Sequence, residues 1–60
     1  MEELKERLVK YHEVEGVSYK FIANQIGIST GIMYNFTSGI RDLKPIRAAA
    51  LDDYLKEKGY

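Results

Sequence analysis

Apolar residues along the chain fall into four clusters at helical spacing, each followed by glycine or by polar positions. Leu4, Leu8 and Tyr11 lie on one face of a predicted helix over about residues 2–15. Ile22, Ala23 and Ile26 make the buried face of a second, about 19–26. Met33 and Phe36 face inward from a third, about 30–38, with Ile32 in part. Ile46, Ala50, Leu51, Tyr54 and Leu55 form the stripe of a fourth, about 45–58, and Leu43 joins it. No stretch alternates apolar and polar residues for long enough to make a strand. The pattern predicts an all-α fold, a compact four-helix bundle forming a single domain over residues 1–60.

The helix ends carry their own signals. Gly16, Gly27, Gly39 and Gly59 each close a helical run, the usual place for glycine. Ser18 and Ser29 are expected N-caps, whose hydroxyls accept from free backbone N–H groups. Val17 with Ile22, and Ile28 with Met33, have the spacing of hydrophobic staples. Pro45 suits the first turn of the fourth helix.

Only Ile28 separates the stop at Gly27 from the cap at Ser29. So short a turn forces the second and third helices to cross steeply, as in a helix-turn-helix. Ala23 is small enough to permit the close approach.

Composition narrows the functional classes. A chain of 60 residues has one small core and little room for an enclosed catalytic cavity. Without cysteine it has no disulfide and no thiolate metal site, which fits an intracellular, cytoplasmic protein. No apolar run reaches membrane-span length, and Glu2 and Glu3 oppose the positive start of a signal peptide. Formal net charge is zero, yet its distribution is uneven. Residues 1–17 carry Lys5, Arg7 and Lys10 against Glu2, Glu3, Glu6, Glu13 and Glu15, a net of −2. Residues 18–47 carry Lys20, Arg41, Lys44 and Arg47 against Asp42, a net of +3. Residues 48–60 carry Lys56 and Lys58 against Asp52, Asp53 and Glu57, a net of −1.

The basic segment surrounds a third helix whose outward positions are Thr30, Gly31, Tyr34, Asn35, Thr37 and Ser38. A solvated helix face normally carries Lys and Glu. This one carries neutral hydrogen-bonding groups, which suit base edges. Asn35 can pair bidentately with adenine. Thr30 can bond a base and offer a methyl to thymine. Gly31 lets the backbone come close. Phosphate contacts are expected from the start of the second helix with Tyr19 and Lys20, and from Ser38, Arg41 and Lys44 beyond the third.

The stretch YKFIANQIGISTGIMYNFTSGIRDL, residues 19–43, resembles the lambda-repressor-like, Cro/C1-type helix-turn-helix domains of phages and mobile elements. Ala23, Gly27, Ile28, Met33, Ser38-Gly39 and Arg41 match that pattern in order. The resemblance implies a sequence-specific DNA-binding transcriptional regulator of the repressor kind, working in a bacterial or phage-infected cell. It implies base contacts at Thr30, Gly31, Tyr34 and Asn35, and phosphate contacts at Tyr19, Lys20, Ser29, Ser38 and Arg41. The chain departs from the family at Ile40, where a basic residue is frequent, at Gly31, where a long polar reader is frequent, and in its neutral charge.

The remaining polar residues read as structural. His12 is expected at the surface near the end of the first helix, neither catalyst nor ligand. Asp52 and Asp53 point about 100° apart on a helix and cannot easily share an ion, so with Glu57 they form a wet face. Tyr11 and Tyr54 read as core. Tyr34 either enters a groove or packs beneath Ile40. Tyr60 is either loose or packed on a partner. No cofactor, metal or small-molecule ligand is implied, and with one histidine and no acid pair an enzyme is not expected. The expected partners are double-stranded DNA and a second copy of the chain, meeting through the end of the third helix, the loop to Pro45 and the start of the fourth. The alternative is a protein-interaction module that keeps the fold without binding DNA.

Overall fold

The computed structural model describes residues 1–60 and contains four helices and no strand: α1 Glu2–Glu15, α2 Tyr19–Ile26, α3 Thr30–Thr37 and α4 Pro45–Glu57. The all-helical expectation holds. The predicted third and fourth helices each end one residue earlier, with Ser38 and Lys58 as C-caps.

Local chemistry sets the boundaries. Ser18 Oγ accepts from Phe21 N–H and Ser29 Oγ from Ile32 N–H, both at 3.1 Å. Each serine thus satisfies one of the donors that a helix start leaves free. Val17 and Ile28, one residue ahead of the caps, are partly buried against the core. At the other end of α2, Gly27 takes φ +76°, a conformation that costs a residue with a Cβ roughly 1–2 kcal/mol.

Ten apolar side chains make the core: Leu8, Tyr11, Ile22, Ala23, Ile26, Met33, Phe36, Leu43, Leu51 and Leu55. α2 packs on α3 and α4, and α1 packs on α4 and α3, giving a body of 24 × 20 × 18 Å. Leu8, Ile22, Met33, Leu51 and Leu55 are fully buried, each worth about 1.5–3 kcal/mol of transfer free energy.

One expected core position lies outside, and one is covered only in part. Ile46 is 79% exposed. It stands five residues before Leu51, about 140° around the helix at 100° per residue, so the buried stripe of α4 begins after it. Ile32 is 48% exposed, because Met33 and Phe36 already fill the side of α3 that faces the core.

The two chain ends are joined. The Arg7 guanidinium donates to Asp52 at 2.5 Å and to the Tyr60 carbonyl at 2.8 Å. The Tyr60 hydroxyl donates to Glu15 at 2.6 Å, and its ring meets Tyr11 edge-on at 5.1 Å. Tyr60 is therefore neither loose nor in need of a partner: it latches onto α1 of its own chain. Tyr11 also meets Tyr54 edge-on, their hydroxyls 3.2 Å apart.

Candidate nucleic-acid interface

The outward side of α3 is assembled from residues whose polar atoms have no internal use. Thr30, Tyr34 and Asn35 make no side-chain hydrogen bond within the chain. Met33 and Phe36 anchor the opposite side, which leaves Tyr34 exposed and Thr30 and Asn35 half-buried. Thr37 differs, because its hydroxyl donates to the Tyr34 carbonyl at 3.1 Å. Asn35 spends only its backbone, whose carbonyl accepts from Ile40 and Arg41 N–H at 2.9 and 3.2 Å. That fixes the loop after α3 while the Asn35 amide stays free. Gly31 is exposed and a Cβ there would meet only Ser29 Oγ, at 3.9 Å.

A cleft lies on each side of α3. One is lined by Ser18, Lys20, Phe21 and Asn24 of α2 and its cap, and by Ser29 and Thr30. The N-termini of α2 and α3 both open onto it, and their first N–H groups lack intrahelical acceptors. The other cleft holds Ile32 and Asn35 of α3 together with Arg41, Lys44 and Arg47, with Asp42 as its acid.

The cations on this side are unpaired. The ion pairs of the chain are Lys5–Glu2, Arg7–Asp52 and Lys56–Asp52. None involves Lys20, Arg41, Lys44 or Arg47, all of which are exposed. Every cation of the basic segment is thus available, while Asp52 is saturated. The Arg7 hydrogen bond first, then the Lys56 one, hold the Asp52 carboxyl below its ordinary range.

Arg47 joins the cleft although its residue type and position alone give it no role beyond the basic charge of residues 18–47. Its guanidinium reaches from the first turn of α4 to the turn between α2 and α3, where a Cβ added at Gly27 would stand 3.5 Å from Nη1. The spacing of Arg41, Lys44 and Arg47, three residues apart across the start of α4, was the available signal.

Tyr19 and Tyr34 are placed differently from free surface readers. The His12 ring stacks on Tyr19 with centroids 4.0 Å apart, and Tyr34 meets Tyr19 edge-on at 6.0 Å. Tyr34 remains 51% exposed and Ile40 70% exposed. Burial, then the charge of Glu13, then Tyr34 raise the Tyr19 hydroxyl above its ordinary pKa. The Glu13 charge makes this edge less attractive to phosphate than the edge carrying Arg41, Lys44 and Arg47. Ser29 and Ser38 are both exposed at the ends of α3, and each keeps a hydroxyl proton to donate.

No cluster of three or more His, Asp or Glu side chains has metal-site geometry, and no helix is long and apolar enough to cross a membrane. Compared with models of protein families, with curated proteins and with solved structures, the chain matches none.

Proposed function

We propose that the chain is a sequence-specific DNA-binding regulator in which α2, its turn and α3 act as a helix-turn-helix, with α3 lying in the major groove. The observation that carries this reading is the pairing of two features on one side of the molecule. Thr30, Tyr34 and Asn35 offer unspent polar groups, and Lys20 beside Thr30 and Arg41, Lys44 and Arg47 beside Asn35 have no carboxylate in an ion pair. Phosphate contacts position a protein and base contacts specify its site, and both kinds of group are present in that arrangement. Thr30, Gly31, Tyr34 and Asn35 are the base-reading candidates. Lys20, Ser29, Ser38, Arg41, Lys44 and Arg47 are the phosphate-binding ones, with Tyr19 supporting them through Tyr34.

A homodimer suits this reading. Ile40 in the loop after α3 and Pro45 and Ile46 at the start of α4 are exposed, and pairing them across two copies would bury apolar surface and double the phosphate contacts. Two-fold symmetry would place half-sites roughly 34 Å apart. Selection from a pool of random duplexes, followed by anisotropy titration, tests the reading. Recovery of a palindrome supports it, and binding that ignores sequence removes it.

The exposed isoleucines and neutral charge favour a second reading, a protein-interaction module without DNA binding. In that case added duplex leaves the residues of α3 unperturbed.

A further inference from the structure

We infer that Ile32 reads the C5 methyl of a thymine, and that with Asn35 it makes the protein select two neighbouring A·T pairs. This deepens the DNA-binding reading and rests on it. An exposed isoleucine is by itself ordinary. The setting of Ile32 is what distinguishes it.

Ile32 lines one cleft with Asn35, three positions further along α3, and the cleft is bordered by Arg41, Lys44 and Arg47. Residues three apart lie on the same side of a helix, so a groove that admits the Asn35 amide also admits the Ile32 side chain. Three residues of helix rise about 4.5 Å, close to the roughly 3.4 Å between successive bases of a strand. The two side chains therefore address neighbouring pairs. The Asn35 amide can donate to adenine N7 through Nδ2 and accept from adenine N6–H through Oδ1, and thymine is the one base with a methyl in the major groove. Ile32 is β-branched, so in a helix it holds essentially one χ1 rotamer, and its methyl groups are presented with little entropy left to lose.

A protein partner fits this cleft poorly. Its lining carries three cations, Arg41, Lys44 and Arg47, against one acid, Asp42, an excess of positive charge that suits a polyanion.

The test starts from duplexes enriched out of a random pool by the wild-type chain. Each thymine of the enriched duplex is replaced in turn by uracil, which removes only the methyl. The expected result is a loss of about fourfold in affinity at one position per half-site, the factor that one buried methyl-sized group supplies. At that position the I32A variant should bind the thymine and uracil duplexes equally. The N35A variant should bind more weakly but still distinguish them. Equal wild-type binding of all the uracil duplexes would overturn the assignment of Ile32 and leave the DNA-binding reading standing, as would full discrimination by I32A. Failure to enrich any duplex would overturn both.

Discussion

The His12 ring lies nearly flat on the Tyr19 ring, 4.0 Å between centroids and 19° between planes. Its Nδ1 is 2.6 Å from the Val17 carbonyl. A carbonyl can only accept, so Nδ1 carries the proton. One side chain thereby ties the last turn of α1 to the connection Gly16–Ser18 and to the first turn of α2. Tyr19 passes the contact on to Tyr34 of α3. The only histidine of the chain is a bracket for the helix that is proposed to read DNA.

Replacing His12 by alanine removes a hydrogen bond worth about 1 kcal/mol and a ring pair worth about 0.5–1.5 kcal/mol. A domain of this size shifts by about 4–8 °C in Tm for each kcal/mol. We expect H12A to melt roughly 10 °C lower by circular dichroism. A His12–Tyr19 double-mutant cycle should give a coupling of about 0.5–1.5 kcal/mol. Additivity within about 0.3 kcal/mol would show that the stack contributes nothing.

Stability should fall at both ends of the pH range. Asp52 is held below its ordinary pKa by Arg7 and then Lys56. A depressed folded-state pKa gives stability that is present above the unfolded value, about 3.9, and lost as pH falls through the folded one. Tyr54 is the opposite case: burial first, then the hydrogen bond with Tyr11, push it up to about 12. Its contribution is complete below the unfolded value, about 10, and lost as pH rises toward the folded one. Denaturant midpoints measured across pH should show both limbs. D52N should flatten the acid limb and Y54F should soften the alkaline one, to which Tyr19 and Tyr60 also contribute. Variants with the wild-type pH profile would contradict these assignments.

Arg47 is expected to touch phosphate. The R47A variant should keep the wild-type Tm, because the side chain is exposed and makes no ion pair. Its DNA affinity should fall, and the slope of log K against log salt should drop by about 0.9. With few cations on this side, the wild-type slope should correspond to about three to five phosphates per subunit. An unchanged slope in R47A would remove Arg47 from the interface.

Ile46, 79% exposed at the start of α4, is the sharpest probe of the proposed dimer. Substituting aspartate should leave the monomer folded and shift sedimentation on a palindromic duplex from two bound chains to one. Affinity for the full site should fall at least tenfold. Two chains still binding with wild-type affinity would place the dimer contact elsewhere.

What the sequence reveals here is what is local. Ser18, Ser29 and Gly27 act within a few residues of themselves, so their spacing alone predicts α2, α3 and the turn between them. Ile46 departs from its expected burial because a helical stripe read backwards from Leu51 does not reveal where the neighbouring helices stop covering it. The roles of His12, Tyr60 and Arg47 depend on side chains reaching across elements, to Tyr19 and Val17, to Arg7 and Glu15, and to Gly27. Nothing in the chain order encodes those contacts. The candidate interface is legible in its residue types, Asn35 and Thr30 among basic neighbours, while the cleft that joins Ile32 to Arg47 depends on the fold, which sets Arg41–Lys44 and the start of α4 beside α3.

The most direct measurement is chemical-shift mapping of the labelled chain titrated with an enriched duplex at about 50 mM salt, low enough to preserve phosphate contacts. A DNA-reading α3 should shift Thr30, Gly31, Ile32, Tyr34 and Asn35 most, with smaller shifts at Lys20, Arg41, Lys44 and Arg47. Shifts confined to α1 or to the last turns of α4, or no shifts at all, would contradict it.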